Sequence, residues 1–246
     1  MAKRKKGQAA VLVTFVLDRS GSMGVCRDET IEAFNAYLAD LRGDPSGETF
    51  VTLRQFDHEH ELVYDAVPLE EAPSLTHATY QPRGWTALND AIALGLADGD
   101  RAASWLPDGT RHLLVVVTDG AENHSTEHTA DSVRAMISAH EGRGWTVVFL
   151  RAGLDVQQAQ GVAGLYGIHA GNVAVYDTNL AGSTSLAMRS LSAVTRTVSA
   201  SALPTMDSAF ASAGVSQDHR TVDDHVEEVL RGKGSIVRDS GAAWTP

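Results

Sequence analysis

The chain has 246 residues, of which 43% are hydrophobic, and a formal net charge of −11. This length and apolar content suit one domain of ordinary size with tails, or at most two small domains. The acidic charge argues against broad binding to nucleic acid or to anionic membranes. The single cysteine, Cys26, excludes an intramolecular disulfide and a cysteine zinc cluster.

The N-terminal residues 1–9 carry a basic run, Lys3–Lys6, that predicts a solvated tail. The apolar run that follows, Ala9–Leu17, superficially resembles the core of a signal peptide. It ends in Asp18-Arg19 without a small-x-small cleavage site, and its β-branched residues suit a buried strand instead. No later segment approaches the roughly 18 apolar residues of a membrane span. We therefore expect a cytoplasmic protein that does not contact a membrane.

Apolar patterning predicts one domain over residues 10–199 in which strands and helices alternate. The predicted strands are Ala10–Leu17, Phe50–Phe56, Glu61–Leu69, His112–Thr118, Thr146–Leu150 and Asn172–Tyr176. The predicted helices are Asp28–Leu41, Thr86–Ala97, Glu127–His140, Asp155–Ala163 and Leu186–Val198. A short polar turn, Asp57–His60, joins the second and third strands as a hairpin. The expected fold is α/β: a doubly wound, mostly parallel six-stranded sheet with one antiparallel edge strand and helices on both faces.

The composition changes near residue 200, and residues 200–246 are predicted to be a linker and a C-terminal tail. Ser199–Ser216 is rich in Ala and Ser and has no clear period. A short amphipathic helix is predicted over His219–Leu230. Because so short a helix is marginal by itself, it should dock on the domain or a partner, or stay disordered. The sequence leaves the oligomeric state open.

Three polar segments stand where ligands bind in such folds, beyond the carboxyl ends of strands. Asp18-Arg19-Ser20-Gly21-Ser22 directly follows the first buried strand. Gly84-Trp85-Thr86 lies on the loop that enters a helix, and Thr118-Asp119-Gly120 follows the fourth strand. Together they offer carboxylate and hydroxyl oxygens, which suit Mg²⁺, Mn²⁺ or Ca²⁺ better than zinc. Because only two carboxylates serve the ion, we expect it to keep waters and an open position, which favours Mg²⁺.

The motifs DRSGSM (18–23), GWTALNDAI (84–92) and VVVTDGAEN (115–123) resemble the metal-ion-dependent adhesion site of von Willebrand factor A domains. The longer context is similar to stand-alone bacterial and phage proteins of this type and to tellurite-resistance-type relatives. The resemblance implies that Ser20 and Ser22 ligate the metal directly and that Thr86 binds directly or through water. It implies that Asp18 and Asp119 act through water or as acceptors for the ligands.

The residues around this site are expected to form a rim that shapes partner choice. The predicted rim residues are Arg19, Trp85, Glu122, Asn123 and His124. Within the same region, His124–His128 matches the H-x-x-E-H pattern of a zinc peptidase class. That pattern needs a third ligand and a substrate cleft, so a solvated helix start capped by Ser125 or Thr126 is the preferred interpretation.

The leading functional prediction is a binding module and not an enzyme. An Asp or Glu of a protein partner would complete the shell of the bound cation. One alternative is a hydrolase that uses the same ion to activate water, although no general base is evident at the site. A second alternative is a structural protein whose metal only stabilises its loops. The sequence does not identify the partner.

Overall fold

The computed structural model describes residues 8–43, 47–152, 156–176 and 183–200. Its strands are β1 Val11–Asp18, β2 Thr49–Phe56, β3 His60–Pro68, β4 Arg111–Thr118, β5 Thr146–Ala152 and β6 Val173–Tyr176. Its α-helices are α1 Arg27–Arg42, α2 Leu88–Ala102, α3 Ala130–Glu141, α4 Val156–Leu165 and α5 Ser183–Ala200. A short 3₁₀ helix, Gly21–Cys26, follows β1.

The six strands form one sheet in the order β3-β2-β1-β4-β5-β6. Every neighbouring pair is parallel except β2 and β3, which form the antiparallel hairpin at one edge. The predicted fold class is therefore confirmed. Strand order reverses between β1 and β4, because the chain builds outward from β1 in one direction and from β4 in the other. Such a switch point leaves a crevice beyond the carboxyl ends of the two strands.

Apolar side chains on both faces of the sheet explain the uninterrupted hydrophobic strands. Along β1, Val13 and Phe15 enter a core shared with α1 and α5, while Val16 enters a second core shared with α2, α3 and α4. Phe15 packs edge-on against Phe34 at 5.0 Å and Tyr37 at 5.1 Å between ring centroids. Strands that are buried on both faces need mainly apolar residues, and β1 and β4 have them except at Thr14, Asp18, Arg111, His112 and Thr118.

Helix α2 begins later and ends later than the sequence predicts. Its first residue is Leu88 instead of Thr86, because Ala87 has φ −93° and ψ 64°, outside the helical region. The helix then continues past Ala97 to Ala102. Its later turns are anchored by Asp98, which is buried and accepts hydrogen bonds from the Arg54 guanidinium of β2 at 2.6 and 2.9 Å.

Helix α3 begins at Ala130 instead of Glu127, and the predicted caps Ser125 and Thr126 are wrong. Thr129 is the cap, since its hydroxyl accepts the Ser132 N–H and the Ser132 hydroxyl accepts the Thr129 N–H. The preceding backbone N–H groups are bound elsewhere. Asp90 of α2 accepts those of Thr126 and His128, each at 2.8 Å, so this segment remains a loop.

Strand β3, at the antiparallel edge, is irregular. Its register against β2 shifts between Val51 and Leu53 and again between Leu53 and Arg54. Ala66 has a φ of +43°, and its N–H donates to the Thr52 hydroxyl at 2.8 Å. This edge of the sheet is therefore bulged.

The predicted basic run Lys3–Lys6 and tail helix His219–Leu230 lie outside the described residues, so the proposed domain limits stay predictions. Among the residues that the structure describes, no helix has the length and apolar character to cross a membrane.

His112, at the start of β4, is a buried imidazole that stacks on Trp145 with 4.4 Å between ring centroids. Its Nδ1 has no hydrogen-bond partner among the described residues. Burial lowers the pKa of His112 to about 4, and the charges of Asp100, Arg143 and His140 have smaller effects. The folded protein therefore resists protonation of a group that the unfolded chain protonates near its ordinary pKa of 6.5.

We expect the contribution of His112 to stability to be complete above pH 6.5 and to fall as the pH decreases toward 4. His112→Phe keeps an aromatic ring against Trp145 and removes the titration. Its melting temperature should therefore fall less than that of the wild type between pH 7 and pH 4.5. Calorimetry or circular dichroism at both pH values measures the difference. Equal decreases in the two proteins would contradict this account.

Candidate metal centre

Asp18 ends β1 and lies fully buried at the switch point. Its Oδ1 accepts the Ser20 N–H at 2.6 Å, and its Oδ2 accepts the hydroxyl of Thr118, the last residue of β4, at 2.6 Å. The carboxylate is thus bound both to its own loop and to the neighbouring strand. Burial raises the pKa of Asp18 to about 6, because a carboxylate loses hydration there that two hydrogen bonds only partly replace.

The two predicted serine ligands come together in the first turn after β1. The Oγ atoms of Ser20 and Ser22 lie 3.2 Å apart. The Ser22 hydroxyl also donates to Oδ1 of Asp119 at 2.7 Å, across a sequence separation of 97 residues. Burial raises the pKa of Asp119 as well. The first and third predicted segments therefore meet at one place.

Thr86 is buried and connects the second segment to the third. Its N–H donates to the Asn123 side-chain oxygen at 2.8 Å, and its carbonyl accepts the Asn123 N–H at 3.0 Å. Its hydroxyl faces Gly120. A Cβ added at Gly120 would lie 3.3 Å from Thr86 Oγ1 and 3.9 Å from Asp18 Oδ2. Glycine at this position keeps the space between the hydroxyl and the carboxylate open.

The structure brings all five predicted metal residues to one edge, and their chemistry fits a hard divalent cation. Among the described residues, neither Asp18 nor Asp119 forms a salt bridge; the charge of Asp119 raises the pKa of Asp18, and Arg151 acts on Asp119 only through its charge. The described residues also contain no group of three His, Cys, Asp or Glu that could hold a metal. A cation here would depend on the hydroxyls of Ser20, Ser22 and Thr86, which suits Mg²⁺, Mn²⁺ or Ca²⁺.

Several predicted rim residues are engaged inside the protein. Arg19 is only 8% exposed and donates to Asp57 at 3.0 Å and to Glu61, so its predicted place on the rim is wrong. The Glu122 carboxylate accepts N–H groups of its own loop and of α2. The Asn123 side chain holds Thr86, as described above. For Glu122 and Asn123, contact with a partner stays a prediction.

Trp85, Asn123 and His124 do lie on the surface, with Trp85 63% exposed. Sequence patterning missed an exposed apolar residue, Val25, which is 82% exposed in the 3₁₀ helix that contains Ser22. The loops of Val25 and Trp85 are adjacent, because the Gly21 N–H donates to the Gly84 carbonyl at 3.2 Å. Apolar surface therefore lies beside the candidate metal residues.

The H-x-x-E-H segment does not have the geometry of the zinc peptidase pattern. His124 and His128 lie on the loop before α3, so they do not share a helix face. They line a pocket of about 290 Å³ together with His58 and His60 of the hairpin turn.

Three supporting side chains were not assigned a role from the sequence. The Thr118 hydroxyl binds Asp18, the Tyr80 hydroxyl donates to the Asp18 carbonyl at 2.6 Å, and Asp57 binds Arg19. Asp57 directly follows β2, so the strand-end rule that identified Asp18 and Asp119 could have identified it. Tyr80 lies in an irregular loop, where no periodic signal exists.

Residues 13–177 match the sequence model of the von Willebrand factor type A domain. No curated protein matches the chain.

Three solved structures of similar fold share little sequence with this chain. A von Willebrand factor type A protein from Catenulispora acidiphila is 14% identical, with a TM-score of 0.53, over 77% of this chain and 43% of that one. The minor pilin PilB from Streptococcus sanguinis is 12% identical, with a TM-score of 0.54, over 79% and 63%. The von Willebrand factor domain of a type V pilus tip protein from Porphyromonas gingivalis is 10% identical, with a TM-score of 0.56, over 78% and 97%.

These likenesses show the fold alone. The chain spans less than two thirds of the length of the first two proteins.

Asp119→Asn should separate the metal response from the stability of the metal-free protein. Without metal, we expect a melting temperature equal to or above that of the wild type, because the change removes a half-buried charge near Asp18. In the wild type, Mg²⁺ at 100 times its Kd should stabilise the fold by about 2.7 kcal/mol. The variant should not show this increase. Thermal melts with Mg²⁺ and with EDTA measure both effects.

Asp108→Asn, which changes an exposed carboxylate, is the control and should behave as the wild type. An undiminished Mg²⁺ response in Asp119→Asn would remove Asp119 from the metal site.

Proposed function

The chain belongs to the von Willebrand factor type A domain family, and on that basis we propose that it is a binding module that recognises a protein partner through a bound divalent cation. The observation that carries the proposal is the line of oxygens at the switch point. Ser20 Oγ lies 3.2 Å from Ser22 Oγ, which lies 2.7 Å from Asp119 Oδ1. Three loops that are distant in sequence meet there around the buried carboxylate of Asp18 and the half-buried carboxylate of Asp119.

We propose Mg²⁺ as the ion, with Mn²⁺ or Ca²⁺ as substitutes, because each of the five groups offers oxygen. Ser20 and Ser22 would hold it directly, and Thr86 directly or through water. Asp18 and Asp119 would orient these ligands and offset part of the ion's charge from outside its direct ligand set. Because the hydroxyls that would hold the ion directly are neutral, its open position would stay electrophilic. A carboxylate of a partner Asp or Glu is the group that fits such a position.

The surface beside the site favours a partner segment that combines an acidic residue with apolar neighbours. Val25 and Trp85 are exposed on adjacent loops beside the metal residues. A large, half-rigid aromatic side chain is a common anchor of protein interfaces. The chain's net charge of −11 also disfavours a nucleic-acid partner, because phosphates would be repelled over most of the surface.

We expect association with the partner to require both the ion and its ligands. In an affinity pull-down from the native host, wild-type protein should retain one set of proteins in Mg²⁺ and release it in EDTA. Ser22→Ala should retain none of that set while its melting temperature in EDTA stays near that of the wild type.

Retention of the same proteins by Ser22→Ala, or in EDTA, would overturn the proposal. A wild-type protein that Mg²⁺ stabilises but that binds nothing would favour a purely structural metal.

Trp85→Ala should weaken partner binding at least about tenfold, since truncation of a central aromatic anchor removes more than about 1.4 kcal/mol. Its Mg²⁺ affinity should not change, because the side chain lies outside the ligand set. Trp105→Ala is the matched control. Trp105 is 53% exposed but follows the C-terminal end of α2, whereas the candidate metal residue Thr86 precedes the N-terminal end of that helix. Equal effects of the two substitutions on binding would exclude Trp85 as an anchor.

A further inference from the structure

We propose that Asp57 is a positioning residue of the metal centre: its carboxylate holds the loop of Ser20 and Ser22 and the loop of Thr86 at a fixed separation. The affinity for the divalent cation would then depend on Asp57, although Asp57 does not belong to the ligand set. This inference rests on the proposed metal site and adds a further residue to it.

The first loop is attached to Asp57 through Arg19. The Arg19 Nε donates to Asp57 Oδ2 at 3.0 Å, and the Arg19 backbone N–H donates to the Phe56 carbonyl at 2.7 Å. Arg19 stands between Asp18 and Ser20, so its side chain and its backbone both fix the start of the ligand loop. Arg19, which the sequence pattern predicts on the rim, therefore anchors the ligand loop.

The second loop is attached to the same carboxylate through Arg83. The Arg83 Nε donates to Asp57 Oδ2 at 2.9 Å, and the Arg83 backbone N–H donates to the Arg19 carbonyl at 2.7 Å. The Ala87 N–H, next to Thr86, donates to the Asp57 carbonyl at 2.9 Å. The loop that contains Thr86 is therefore bound to Asp57 near both of its ends.

Asp57 is fully buried, and a backbone N–H of its own turn completes the hydrogen bonds to its carboxylate. Although burial opposes ionisation, the Glu59 N–H at 2.6 Å and the two arginines keep the pKa of Asp57 below its ordinary value. A charged carboxylate between two guanidinium groups is a strong and directional link. It joins residues 19, 57 and 83, which belong to three different connections of the sheet.

The ligand loops themselves contain no regular ladder that could set their spacing. Arg83–Ala87 is irregular, and Ser20 precedes a six-residue 3₁₀ helix. Metal ligation tolerates only a few tenths of an ångström in ligand position, and groups that orient the ligands commonly change metal affinity 10- to 100-fold when they are removed. Two backbone hydrogen bonds join the two loops, from the Arg83 N–H to the Arg19 carbonyl at 2.7 Å and from the Gly21 N–H to the Gly84 carbonyl at 3.2 Å. The Asp57 carboxylate holds Arg19 and Arg83 at the first of these contacts and so helps to set the distance between Thr86 and the serines. Asn123 fixes Thr86 only to the third loop.

The chain contains a matched control. Asp98 is also a buried carboxylate between two arginines, with Arg54 Nε at 2.6 Å and Arg101 at 2.9 Å. It joins β2 to α2 and makes no contact with the metal loops. Asp57→Asn and Asp98→Asn therefore remove the same charge from the same kind of environment. Only the first should alter the metal centre.

The experiment measures the Mg²⁺ Kd by isothermal titration calorimetry and the melting temperature in EDTA for the full chain and its variants. We expect both Asp→Asn variants to melt at lower temperature than the wild type. Asp57→Asn should bind Mg²⁺ about 10- to 100-fold more weakly, whereas Asp98→Asn should keep the wild-type Kd. Arg83→Gln removes one partner of Asp57 on the half-exposed side and should weaken Mg²⁺ binding in the same direction.

Two results would overturn the inference: a Kd of Asp57→Asn within twofold of the wild type, or an equal loss in Asp98→Asn. If Asp57→Asn does not fold, Arg83→Gln decides, and an unchanged Kd in that variant overturns it. The proposed function fails separately. In that case the wild type does not bind Mg²⁺, or Ser22→Ala binds it as well as the wild type does, and the inference about Asp57 falls with it.

Discussion

The sheet edge that carries the candidate metal residues depends on one buried contact between neighbouring strands. This contact is the hydrogen bond from the Thr118 hydroxyl to Asp18 Oδ2 at 2.6 Å. Asp18 and Thr118 end β1 and β4, the two strands between which the strand order reverses. This hydrogen bond holds the Asp18 carboxylate at the base of the crevice, where the loops that follow β1 and β4 begin. Burial without a basic partner makes that carboxylate costly to ionise, and a divalent cation bound beside it would remove this cost. Fold topology and site chemistry are thus connected at a single pair of side chains.

Most of the fold could be predicted from local pattern because the strands are buried on both faces. Largely apolar runs such as Val11–Leu17 and Leu113–Val117 are typical of strands that are buried on both faces of a sheet. A helix between two consecutive strands predicts parallel pairing, and a tight turn between them predicts antiparallel pairing. The convergence of Asp18, Thr86 and Asp119 followed from the same pattern. Parallel strands deliver their carboxyl ends to one edge, so polar residues after different strands become neighbours.

What could not be predicted depends on partners that are distant in sequence. Arg19 is buried because Asp57, 38 residues away, accepts a hydrogen bond from its guanidinium group. In isolation, an arginine beside a metal motif is expected to be exposed. Helix α3 begins late because Asp90 of α2 binds the N–H groups of the preceding loop. Propensity and capping rules consider only a helix end and its flanking residues. A carboxylate from another helix can bind the same backbone N–H groups, and no local sequence signal reveals it.

The irregular edge at β3 has a consequence for how this protein associates with others. An exposed edge strand with free, regularly spaced N–H and C=O groups invites the strand of another chain, and bulges are one way in which proteins prevent it. At β3 the register shifts and the Ala66 backbone turns to φ +43°, so an incoming strand could not maintain its hydrogen-bond ladder. The opposite edge, β6, offers only four residues, Val173–Tyr176. Among the residues that the structure describes, both edges of the sheet therefore disfavour its extension by a strand of another chain.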